Sequence, residues 1–200
     1  RTVAPGVELV ALRASAQDAA ATARRLLADP RVRFVHPDVA LRTADVPNDP
    51  RFDEQWTLSS FGLPEAWEVE AGSSSVTVAI LDTAFDLDHP DLAARFDAGY
   101  DFFNMDASAD VGNSGVVHGT HVAGIVGAIG NDGAGIAGVA RDAVRLLPVQ
   151  VFDDTGGVGS QDAVVAALHW IAGREVEGPG PLSEPVEIAN LSLGTDGAFQ

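Results

Sequence analysis

The chain contains no cysteine and no lysine; all twelve of its basic residues are arginine. Without thiols, disulfides and thiolate metal sites are excluded. No run of 18 or more apolar residues occurs, so no segment reads as a membrane-spanning helix. The first residues lack the charged-then-apolar layout of a signal peptide. Positive charge is scarce: 29 acids face the twelve arginines, for a formal net charge of −17. That balance argues against a nucleic-acid backbone as partner.

What is present suffices for one ordinary domain, or for one small and one partial domain: 200 residues, 46% of them hydrophobic. The charge is unevenly spread. Residues 1–43 hold seven Arg and four acids, whereas residues 44–200 hold five Arg and twenty-five acids. Two readings stand: a coding bias with a solvated acidic face, or a basic front segment complementary to an acidic main domain. The chain opens on Arg1 rather than Met and stops just after an apolar stretch and GTDG. Both ends are therefore expected to lie inside a longer precursor.

Residues 1–41 read as strand, helix, strand. VELVAL (7–12) is strand-like, Ser15 stands three residues before Asp18 as a helix start, and the helix runs to about Ala28, before Asp29-Pro30. RVRFV (31–35) alternates polar and apolar and predicts a half-buried strand. This is too little core to stand alone. RTADVPNDPRFDEQW (42–56) reads as a linker and the best domain boundary. Beyond it, strands are expected over Val76–Leu81, Val144–Phe152 and Val186–Leu193. Helices are expected over His118–Ile129 and Gln161–Ala172, and a surface loop over 173–185. The alternation implies a parallel sheet with crossover helices.

Three features carry chemistry. Asp82 ends the run VTVAIL, and an acid at the carboxyl end of a parallel strand stands where open α/β sheets place their ligands. HGTHVAG (118–124) sets His118 beside Gly119 at a helix entry, where no neighbouring side chain covers the ring. His118 and His121 lie three apart with no intervening Glu, unlike the four-residue spacing of zinc-binding helices. NLSLG (190–194) reads as a strand emerging at the sheet edge, able to pair with an extended peptide.

Taken in order and at these separations, Asp82-Thr83, HGTHVAG and NLSLG resemble the subtilase family of serine proteases, whose triad runs Asp, His, Ser. PNDPRFDEQWTLSSFGLPEAWEV (47–69) resembles the family's mature N-terminus, and GIAGVARDAVRLLPVQVFDDTG (135–156) its next helix–strand connection. The resemblance implies a partial α/β parallel-sheet subtilisin-like fold over 44–200. It also implies part of an α+β ferredoxin-like propeptide over 1–43, ending near RVRFVHPDVAL, with self-cleavage between Leu41 and Asn48.

It further implies a secreted serine endopeptidase acting on polypeptides, with its own propeptide as partner. Asp82 would be the buried acid and His118 the general base. Ser192, Leu193 and Gly194 would be the strand that pairs with substrate, and Phe152 and Gly156, with Gly157, the opposite wall. Ser192, placed in a strand rather than at a helix start, is not the nucleophile. Asp49, Asp91 and Asp132, with carbonyls near Gly130, Ala134 and Ile136, would hold a structural Ca²⁺, a hard cation that suits such oxygens. Two positions depart from the family pattern: Ala84 replaces a usual Gly, and Val117 a usual Gly or Ser. No GTSxA-like segment and no AAGN-like oxyanion context occurs before Gln200. The nucleophile is expected beyond it; otherwise the chain is an inactive peptide-binding or inhibitory module, or a structural protein reusing the fold.

Overall fold

The computed structural model describes residues 2–4, 7–8, 16–35, 46–112 and 114–194. The chain divides into two compact units, Arg1–Thr43 and Ala44–Gln200.

In the first unit, β1 (Thr2–Ala4) pairs antiparallel with β2 (Val7–Glu8). Helix α1 (Ala16–Leu27) follows, with Asp18 in its first turn and Arg24 and Arg25 in its last, each sign matching the helix dipole. The strand expected over Arg31–Val35 is absent. Its first residue is instead held in a turn by Asp29. That carboxylate accepts the Arg31 N–H at 2.9 Å and its guanidinium Nε and Nη2 at 3.0 and 2.6 Å. A five-residue alternation makes a strand only where a partner completes the ladder. Residues 9–12 of the expected first strand, residues 36–41 of the expected propeptide end and residues 41–45 of the expected cleavage region lie outside the described residues.

The second unit is built on a parallel sheet in the order β4-β5-β3-β6. Its strands are β3 (Gly72–Asp82), β4 (Tyr100–Asp101), β5 (Ala143–Gln150) and β6 (Ile188–Asn190). β3 is central, paired with β5 on one side and β6 on the other. Its consecutive apolar residues follow from burial on both faces. Val78 and Ile80 join Leu146, Val122, Ala123 and Phe85 on one face, under α4 (His118–Gly127). Ala79 and Leu81 join Leu147, Val149, Tyr100, Phe102 and Trp170 on the other, under α5 (Gln161–Ile171). Ser160 caps α5, its hydroxyl accepting the Ala163 N–H at 3.2 Å, and Ala163, Ala167, Trp170 and Ile171 form the helix's buried stripe. Pro148 does not interrupt β5, which continues through it opposite Ile80.

β6 is shorter than expected. Ladder pairing ends at Asn190, and residues 191–194 are not strand. The expected linker also proves to be largely structured. Pro47, Asp49 and Phe52 are buried, and two short helices follow, α2 (Trp56–Ser60) and α3 (Leu63–Trp67). Phe52, Leu58, Trp67, Ala71 and Ala137 form a third apolar cluster. The Gln55 amide stitches this segment to residue 137, donating to the Ala137 carbonyl at 2.8 Å and accepting its N–H at 2.9 Å.

Candidate active site

Asp82 is the last residue of β3 and His118 the first of α4, so the sheet's carboxyl edge and a helix entry converge. Asp82 is 1% exposed; its Oδ1 accepts the Thr83 N–H at 2.7 Å and faces His118 Nδ1 at 2.7 Å. A carboxylate only accepts, so this pairing places the ring proton on Nδ1 and leaves Nε2 as the free acceptor. The His118 side chain is 56% exposed while its partner is sealed. The pair therefore offers a fixed, correctly tautomerised base to whatever approaches the open side.

What holds the two elements together is a set of bonds between the β3 exit and the α4 entry. The Gly119 N–H donates to Thr83 Oγ1 at 2.9 Å, and the Asp86 N–H donates to Thr120 Oγ1 at 2.9 Å. Gly119 must be glycine for steric reasons: a Cβ there would stand 2.7 Å from the Thr83 carbonyl oxygen and 2.8 Å from that of Ala84. Sequence reasoning placed Asp82 and His118 but gave Thr83 and Thr120 no role. Their signal was present as a hydroxyl directly after the acid and another two residues after the histidine. The two departures from the family pattern fall differently: Ala84 is buried in the core, and Val117 is exposed before the helix without capping it by its side chain.

The other expected site residues are placed as follows. Phe152 is half-buried against the α5-side core and bridges to Gly159. Gly156 has φ 69° and backs onto Val116 and Thr83; a Cβ there would stand 2.9 Å from Val116 Cγ1 and 3.3 Å from Thr83 Cγ2. The loop carrying Gly156 thus lies against both the segment entering His118 and the residue after Asp82. Ser192 is not in a strand: its hydroxyl donates to Asn190 Oδ1 at 2.8 Å, a local turn contact at an exposed edge. Leu193 and Gly194 are exposed beyond it. The parallel register, Ile80 opposite Asn190, carries this segment to the same end of the sheet as Asp82.

Of the three expected metal-facing acids, two are buried together. Asp49 and Asp91 are each 4% exposed. Asp49 Oδ2 accepts the Asn131 N–H at 2.9 Å and Asp91 Oδ2 the Ile136 N–H at 3.0 Å, while Oδ1 of each is buried with no hydrogen-bond partner. Burial raises the Asp91 carboxyl above the usual carboxylate range; the Ile136 N–H opposes this, and the Asp132 and Asp49 charges add to it. Asp132 itself is exposed and occupied by the Ala134 N–H at 2.8 Å. Among the described residues no group of three or more His, Asp or Glu side chains is assembled to hold a metal.

Comparison with known proteins supplies the context for this geometry. The family model described as "Subtilase family" matches residues 73–200. An extracellular protease of Xanthomonas campestris pv. campestris is 36% identical over 88% of this chain and 34% of its own length. Thermitase of Thermoactinomyces vulgaris is 36% identical over 74% of this chain and 48% of its own. Among solved structures, a protease of Pseudoalteromonas arctica superposes with a TM-score of 0.68 at 36% identity, covering 78% of this chain and 53% of that one. The chain thus spans between a third and about half of the length of these three relatives. No helix among the described residues is long and apolar enough to cross a membrane. A family model matching most of the chain, and an Asp–His pair at the carboxyl edge of a doubly covered parallel sheet, lead to one conclusion: this chain belongs to the subtilase family.

Proposed function

We propose that residues 44–200 are the front part of a serine endopeptidase catalytic domain, with Asp82 and His118 as two members of an Asp-His-Ser triad. The observation that carries this reading is the 2.7 Å contact between a sealed carboxylate and a half-open imidazole. In the reaction, His118 Nε2 takes the serine proton as the serine oxygen attacks the scissile carbonyl, then returns it to the leaving amine. Asp82 holds the ring and stabilises the imidazolium. Substrates are polypeptides, their backbone running beside Ser192, Leu193 and Gly194, with Phe152 and Gly156 on the facing wall. Residues 1–43 act as a propeptide-like inhibitor segment, and the protein is secreted, as the relatives named extracellular proteases suggest.

The test uses the intact protein. A serine-directed fluorophosphonate is expected to stop peptide hydrolysis and to label one serine stoichiometrically. Hydrolysis that continues unchanged in its presence would sink the assignment.

Asp49 and Asp91, each with a partnerless buried oxygen, would hold a structural Ca²⁺, with Asp132 and backbone carbonyls near Gly130, Ala134 and Ile136 as further oxygen donors. A bound cation relieves the mutual repulsion of carboxylates that burial already disfavours. Calcium at a hundredfold excess over its Kd is expected to add about 2.7 kcal/mol of stability, read as a higher Tm than in chelator. Asp91→Asn should abolish the difference. Equal Tm values in calcium and chelator for the unaltered protein would rule the site out.

A further inference from the structure

We propose that Thr83 is a positioning residue, whose hydroxyl caps α4 from another element and thereby holds the His118 ring against Asp82. The inference rests on the catalytic reading of that pair. The first N–H groups of any helix lack intrahelical partners and are ordinarily met by the side chain just before it. Here that residue is Val117, which offers no side-chain hydrogen bond. The buried Gly119 N–H goes instead to Thr83 Oγ1 at 2.9 Å, from a residue that is itself 5% exposed.

The geometry makes this contact more than a cap. Thr83 follows Asp82 and Gly119 follows His118, so both contacts span 36 residues and form two adjacent rungs between the same two backbones. The carbonyl oxygens of Thr83 and Ala84 stand so close to Gly119 that no side chain fits between them. The Thr83 hydroxyl spends its own proton on the Ala84 carbonyl at 3.4 Å, which leaves its lone pairs to the helix. Its methyl faces Gly156 of the facing loop. Hydroxyl and methyl thus touch different things, and substitution separates them: Thr83→Val keeps the methyl and loses the cap, whereas Thr83→Ser does the reverse.

The experiment compares T83V and T83S with the unaltered intact protein, reading kcat, KM, Tm and the low-field proton NMR resonance of His118 Nδ1–H. For T83V, kcat is expected to fall by about tenfold to a hundredfold with KM unchanged, because a misplaced base costs rate rather than binding. The low-field resonance should broaden or vanish. T83S should restore both. A T83V protein that melts earlier but keeps its kcat and its resonance would overturn the proposal, leaving Thr83 a packing residue. If T83V does not fold, T83A read against T83S makes the same comparison. If the unaltered protein hydrolyses no peptide, the catalytic reading fails, while the resonance still decides whether Thr83 sets the pair.

Discussion

Replacing Asp82 by asparagine is expected to lower the kcat of the intact protein by about 10⁴ with little change in KM. Oδ1 already accepts two donors, the Thr83 N–H and the His118 ring, and Oδ2 is buried without a partner. An asparagine must therefore choose between two faults. With its oxygen at the Oδ1 position, its NH₂ group is buried where nothing accepts from it. With its NH₂ at that position, it confronts the Thr83 N–H donor to donor and turns the imidazole to the wrong tautomer. Neither arrangement supplies the negative charge that stabilises the imidazolium in the transition state. Single-turnover rates measured across pH check the prediction; a loss under tenfold would mean that the carboxylate is not part of the reaction.

Gly119→Ala carries the second large effect, and intrinsic propensity predicts its sign wrongly. In an unobstructed helix alanine is favoured over glycine by about 1 kcal/mol. At position 119 the added methyl meets two backbone carbonyl oxygens at 2.7 and 2.8 Å, which cannot swing aside as a side chain would. The expected outcome is a net destabilisation of about 1–3 kcal/mol. Activity should fall by about 10², because the α4 entry is levered off β3 and with it the ring of His118. Gly124 is the control within the same helix: a Cβ there meets only Ile136 Cδ1 at 3.6 Å, an ordinary contact. Denaturant midpoints for G119A and G124A should move in opposite directions. Equal midpoints would refute the account of the close approach.

These effects also mark what the sequence disclosed. The runs that became β3, β5, α4 and α5 were legible because each buries a long apolar face. Their ends moved by only a few residues. Asp82 and His118 were legible because a strand end and a glycine-flanked helix entry are recognisable local contexts. The segment from Pro47 to Trp67 was not. The proline and aspartate content of residues 42–56 matches a linker, yet Gln55 is held by Ala137, 82 residues further on, and Trp67 of the helix that follows by Val139, 72 residues further on. Five-residue helices carry too few turns for periodicity to speak. Ser192 was placed in a strand because NLSLG is apolar enough for one. A ladder, however, ends where the hydrogen-bonded register ends, at Asn190. The Thr83–Gly119 bond was hidden for a related reason: a cap supplied from another element leaves no mark in the residues just before the helix.

The central place of β3 has a kinetic corollary. Its ladder to β5 encloses α4, and the Asp82–His118 contact closes only 36 residues of chain. Joining β6 is a longer errand, since the Thr77 amide meets the Glu187 carboxylate across 110 residues. Loop entropy makes the larger closure dearer by about 1 kcal/mol, and non-local parallel pairing is intrinsically slow. The β3–α4–β5 segment therefore has the means to assemble its acid and base before the strand leading to Ser192 arrives. In this topology the Asp82–His118 contact is the less costly closure and the β6 edge the more costly one.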